Sequence, residues 1–133
     1  MSQYTKKCTF RKEGNQVKTE MYERIEILQV NRVISEKVAD YAKRIVDRIL
    51  LEMPEAEQEK LEMFITHLAM AGKRAEEGTE ENPIDEAILQ GVKEEEAYEQ
   101  AIVLRDQFLS MTDIKFPETE KDFLSVHLCN LLS

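Results

Sequence analysis

Apolar residues recur along this chain at helical spacing. Val30, Ile34, Val38, Tyr41, Ile45 and Ile49 follow one another at steps of three or four, the stripe of an amphipathic helix that buries one face. Pro54 closes this helix, because proline disfavours helical geometry in the residue before it. Proline also suits a first helical turn, so a second helix begins near Pro54, buries Leu61, Phe64, Ile65, Leu68, Ala69 and Gly72, and lasts to about Ala75. Glu76 to Pro83 is polar, charged and closed by an Asn-Pro pair, which predicts an exposed loop. Ile84, Ile88, Leu89 and Val92 give a short third helix, with Gly91 either its terminator or a point within a longer helix. Ala97, Ala101, Leu104, Phe108 and Met111 form a fourth, opened by Glu94, Glu95 and Glu96 at the end where acids favour the dipole. The last starts at Phe116-Pro117-Glu118-Thr119-Glu120 and carries Leu124, Leu128 and Leu131 to the end. The fold expected is all-α, a five-helix bundle with antiparallel helix pairs.

The first 22 residues break the pattern. Thr9 to Lys12 and Gln16 to Thr19 flank Glu13-Gly14-Asn15, which predicts a small hairpin or a basic tail over 1–22, ahead of a helical domain over 23–133. Composition agrees with helix elsewhere, with only four glycines and three prolines in 133 residues. At 42% apolar and 34% charged residues the chain is too hydrophobic for disorder and too charged for a membrane protein. Its apolar runs are short and no basic-then-apolar leader opens it, so a cytoplasmic setting without membrane insertion is expected. Cys8 and Cys129 lie far apart, outside metal or disulfide-scaffold spacing. Of the net charge of −9, residues 1–22 hold five cations against two anions, which leaves −12 for the rest. That body repels phosphate backbones, so direct nucleic-acid binding is not expected and the basic stub is a solvated tail.

The chain has two histidines, His67 and His127, each within an apolar helix. At roughly 100° per residue, with Leu61 at zero, the second helix's main stripe spans about 300° to 40° and His67 falls near 240°, on its border. Met63, Met70, Ala71 and Arg74 share that side, a weaker apolar strip that faces a partner or a neighbouring helix and suits a two-fold interface. His127 falls within the stripe of Leu124, Leu128 and Leu131, with Glu120 two turns earlier on the same side, so its imidazole is buried or semi-buried. No enzyme is expected: Cys129 stands two residues from His127 and points elsewhere. Nor is a metal or other cofactor expected, since His67, His127 and Glu120 lack Glu-x-x-His or His-x-x-x-His spacing.

The segment Phe64-Ile65-Thr66-His67-Leu68-Ala69-Met70-Ala71-Gly72-Lys73-Arg74 resembles the first histidine motif of the PRD, the phosphotransferase-system regulation domain of bacterial antiterminators and transcriptional activators. Phe116 to Leu128, with a proline and a glutamate ahead of the second histidine, resembles the other. The resemblance covers about Ile25 to Leu132 and amounts to a single free-standing copy. It implies a five-helix domain that dimerises and takes phosphoryl groups on His67 and His127, with the phosphocarrier protein HPr or a sugar-specific EIIB component as donor. Arg74 would stabilise the phosphate and Glu120 would orient a ring. Thr66 stands where many members carry an acid. With no nucleic-acid module attached, such a copy would signal through changed dimerisation or a separate regulatory protein. The alternative is a helical dimerisation or adaptor module whose histidines are structural.

Overall fold

The structure, a computed structural model, describes residues 14–133, all helix and connecting loop. Six helices follow in order: α1 (Gly14–Val30), α2 (Glu36–Glu52), α3 (Gln58–Glu77), α4 (Glu86–Lys93), α5 (Tyr98–Leu109) and α6 (Glu118–Leu132). The count corrects the expected five. The additional helix is α1, which runs through residues 16–19, where a hairpin strand or tail was expected; the rest of that expectation falls on residues outside those described. The physical reason is burial. Val17, Met21 and Ile25 recur one turn apart and are 7%, 0% and 0% exposed, so this stretch supplies a core face that a tail would leave in water. The helical unit therefore takes in residues assigned to the tail.

The break between α1 and α2 has no glycine or proline. Arg32 adopts the left-handed conformation at φ 63°. Its N–H donates to the Gln29 carbonyl and that of Val33 to the Leu28 carbonyl, at 2.9 and 2.8 Å, the pairing that satisfies orphan carbonyls at a helix end. Ser35 then caps α2, its Oγ accepting from the Val38 N–H at 3.1 Å. Val30, expected on the buried stripe of the next helix, instead ends α1 at 78% exposure.

α3 starts at Gln58, after a turn in which the Ala56 N–H donates to the Met53 carbonyl, and not directly at Pro54. It stops at Gly78, whose φ of 77° favours glycine and whose following residue, Thr79, donates back to the Arg74 carbonyl. Glu94 to Ala97, expected to open the fourth helix, forms the turn between α4 and α5.

One core joins the helices. Tyr41, Phe64, Met21, Ile25, Leu61, Leu124 and Leu128 lie fully inside it, and the Tyr41 hydroxyl is satisfied by the Phe108 carbonyl at 2.7 Å. α3 packs against α1, α2 and α6, and α6 in turn against α3, α4 and α5. α3 comes close to α2 at Gly72, where an added Cβ would stand 3.1 Å from both Val38 methyls. Among the described residues no helix is long and apolar enough to cross a membrane.

Candidate functional site

The contact of α3 with α6 brings together residues 60 positions apart. His67, at the edge of the buried stripe of α3, meets His127 of α6 with ring centroids 4.5 Å apart and planes inclined by 40°. Phe123, one turn before His127, packs on the His67 ring at 5.5 Å. Both imidazoles line one open cleft of about 520 Å³, together with Met63, Thr66, Met70 and Arg74. Met63 and Met70 of the weaker strip line this opening.

Glu120 lies below the rings. It is 0% exposed, and a carboxylate so placed must be paired. Arg74 of α3 supplies the pairing with a two-pronged contact, Nε to Oε2 at 2.6 Å and Nη2 to Oε1 at 3.0 Å. The Glu81 N–H adds a third bond to Oε2 at 3.2 Å. The loop after α3 is therefore exposed but anchored, because the left-handed turn at Gly78 folds it back over Arg74 toward α6. Burial by itself would push the Glu120 carboxyl up; the Arg74 hydrogen bonds, the Glu81 N–H and the Arg74 charge together hold it below the usual range.

The Oε1 atom of Glu120 also faces His67 Nε2, at 3.9 Å, too far for a hydrogen bond. Nε2 is sealed from solvent and, among the described residues, is the buried side-chain polar atom with no hydrogen-bond partner. A core histidine retained for structure is ordinarily satisfied on its buried nitrogen, and this one is not. The facing carboxylate favours the proton on Nε2 and the lone pair on Nδ1. The His67 side chain keeps 16% of its surface and lines the cleft.

Both rings are neutral near pH 7. Burial, then the neighbouring His127, push the His67 imidazole down to about 4, with the Arg74 charge acting the same way and Glu120 opposing it. Burial also lowers His127. The site is thus a pair of uncharged nucleophilic rings at the mouth of a cleft, above a buried ion pair.

The four site residues picked from the sequence converge, with the partners redistributed. Glu120, read as orienting a ring and lying on the same side of its helix as His127, grips Arg74 and faces His67. Arg74, read as a free receiver of new charge, is already engaged. Sequence reasoning missed that pairing, although its signal was present: Glu120, Leu124 and Leu128 share one register, which puts a carboxylate on a buried face. It also missed Arg24 of α1, which lines the same cleft and bonds Glu62 Oε1 at 3.1 Å. Cys129 is buried and unpaired by a disulfide. Among the described residues no group of three or more histidine, cysteine or carboxylate side chains is placed to hold a metal ion.

In comparison with known families, residues 39–131 match the family described as PRD domain, a span that takes in most of α2 and all that follows to Leu131, and leaves α1 ahead of it. No curated protein and no solved structure matches the chain.

Proposed function

The chain belongs to the PRD domain family, regulatory domains governed by the phosphotransferase system, and from that premise we propose that His67 and His127 are its phosphoryl acceptors. The donor is the phosphocarrier protein HPr or a sugar-specific EIIB component in the cytoplasm. The observation that carries this reading is the meeting of the two imidazoles, 4.5 Å apart, at one open cleft. In the transfer, the lone pair of a ring nitrogen forms the new bond to phosphorus. The donor's bond to that phosphorus breaks, and its electron pair leaves with the donor side chain. On His67 the accepting atom is Nδ1; the ring then carries its Nε2 proton beside the Glu120 carboxylate, which balances the charge on the ring. The phosphoryl group brings about −1.5 to −2 charges, by analogy with phosphorylated hydroxyls, and three strong acceptor oxygens. The signal leaves the domain as a change in dimerisation or in binding to a separate regulatory protein.

The test is incubation with phosphoenolpyruvate, the first phosphotransferase enzyme and HPr or an EIIB component, followed by detection of acid-labile, base-stable phosphate. Wild type is expected to label, each single His67→Asn or His127→Asn variant to lose its own phosphopeptide, and the double variant to lose all label. Folded protein that stays unlabelled beside an active donor supports the adaptor reading, in which both histidines are structural.

A further inference from the structure

We propose that Arg24 of α1, and not Arg74, is the cation that binds a phosphoryl group placed in the histidine cleft. This rests on the phosphoacceptor reading above and identifies a residue outside the family-matched span. Among the described residues lining the cleft, the cations are Arg24 and Arg74 and the acids are Glu59, Glu62 and Glu81. A dianion entering there needs at least one cation, and the two arginines differ in how easily they are released.

Arg74 is held by Glu120 through two hydrogen bonds, at side-chain exposures of 19% and 0%. To turn Arg74 toward a phosphoryl group would leave a fully buried carboxylate uncompensated, which is strongly destabilising. Arg24 holds Glu62 through one contact at 3.1 Å, with side chains 46% and 28% exposed. A half-exposed single contact contributes little, and Glu62 keeps a second partner when it is released, since Gln58 Nε2 donates to its other oxygen at 2.9 Å. A phosphoryl group offers a guanidinium more charge than a carboxylate does, with a geometry that also takes two parallel bonds. The exchange of Arg24 from Glu62 to phosphate is therefore the one that costs the fold least. Because Val17, Met21 and Ile25 root α1 in the core, the exchange ties the position of α1 to the phosphorylation state.

The test uses the full chain and potassium phosphoramidate, a small donor that needs no protein carrier: its P–N bond breaks, ammonia leaves, and the ring nitrogen gains the phosphorus. The readout is the titration midpoint of the phosphohistidine ³¹P resonance. That midpoint is the protonation of the ring's other nitrogen, and a guanidinium bound at the phosphoryl oxygens disfavours the added positive charge and lowers it. Arg24→Gln is expected to raise it by about one pH unit, a tenfold change in that equilibrium, and Arg24→Lys to recover part of the difference. Glu62→Gln, which frees Arg24, is expected to lower it, and that effect should largely vanish in an Arg24→Gln background. A merely structural ion pair predicts the same response to loss of either partner. Equal responses, an unmoved midpoint in Arg24→Gln, or no phosphohistidine on folded protein overturns the proposal. Labelling by phosphoramidate with the expected Arg24 dependence, but none by HPr or an EIIB component, would instead overturn the donor reading and leave Arg24 in place.

Discussion

Replacing His67 with glutamine removes a group whose protonation the fold opposes, and the consequence can be worked through as a stability profile. The His67 imidazole sits at about 4 instead of 6.5, chiefly through burial and the neighbouring His127. Its folded value lies below its unfolded one, so below pH 6.5 the unfolded chain binds the proton more readily and stability falls with pH, the loss levelling off near pH 4. At 1.36 kcal/mol per pH unit, complete protonation costs about 3 kcal/mol and pH 5 already costs about 2 kcal/mol. Solvent at the cleft mouth, which reaches the 16% of the side chain left open, trims both figures.

Glu120 contributes in the same sense but lower down. Its carboxyl is held below 4.5, so the stability it confers is present above that value and is lost only as pH falls through its lower folded one. The interval from pH 6.5 to 5 therefore isolates the histidines from this carboxylate. Urea unfolding at pH 7, 6 and 5 should show wild type losing at least the roughly 2 kcal/mol that His67 accounts for, and His67→Gln losing clearly less. His127→Gln should also flatten the profile, by removing one titrating ring and by bringing His67 closer to its ordinary value. Identical slopes in wild type and His67→Gln would refute the placement of this ring in a desolvated site.

The Arg74–Glu120 pair should behave as a unit: Arg74→Met alone costs about 3–5 kcal/mol in urea unfolding, because a buried carboxylate is left unpaired, whereas Arg74→Met with Glu120→Leu recovers much of that loss. Met21→Ala, at a side chain with 0% exposure in α1, should cost about 2–5 kcal/mol, and a loss below about 0.5 kcal/mol would show that α1 is not part of the cooperative core. Gly91→Ala, with open space at its Cβ in α4, should raise stability by about 0.5–1 kcal/mol. Gly72→Ala should show no such gain, since its Cβ meets the stiff, buried Val38 at 3.1 Å; a comparable increase in melting temperature for both would contradict the close packing of α2 on α3.

Much of the fold was legible because one signal, apolar residues at steps of three or four, is local and repeated. α3 to α6 lie where those stripes and the prolines Pro54 and Pro117 put them, give or take a turn, whereas α2 starts at Glu36, later than the stripe from Val30 placed it. The first helix was missed for a local reason too. Gly14-Asn15 and the nearby lysines suggested a turn and a tail, and outweighed the Val17–Met21–Ile25 spacing that reads as helix once the basic residues are set aside. The α1–α2 break was invisible because Arg32 takes a conformation that sequence rules reserve for glycine. At the site, angular position identified which side of each helix the histidines occupy. It carried no information on the pairing of α3 with α6, and that pairing alone decides that His67 meets His127 and that Glu120 belongs to Arg74.

That pairing also explains why a charge placed here cannot be absorbed quietly. Among the described residues the cleft's two cations are already matched, Arg24 by Glu62 and Arg74 by Glu120, while Glu59 and Glu81 line it as further acids. A phosphoryl group of −1.5 to −2 charges roughly 6 Å from one unscreened carboxylate would meet a repulsion of about 4–5.5 kcal/mol at an effective dielectric of 20. This is comparable with the whole stability of a small domain. The added charge must therefore be relieved, by capture of an arginine, by outward motion of an acid or by opening of the α3–α6 contact. Each of these would rearrange the surface where residues of α1, α3 and α6 line the cleft, so on the proposed reading a phosphoryl group at these uncharged, desolvated rings would change the shape of that surface.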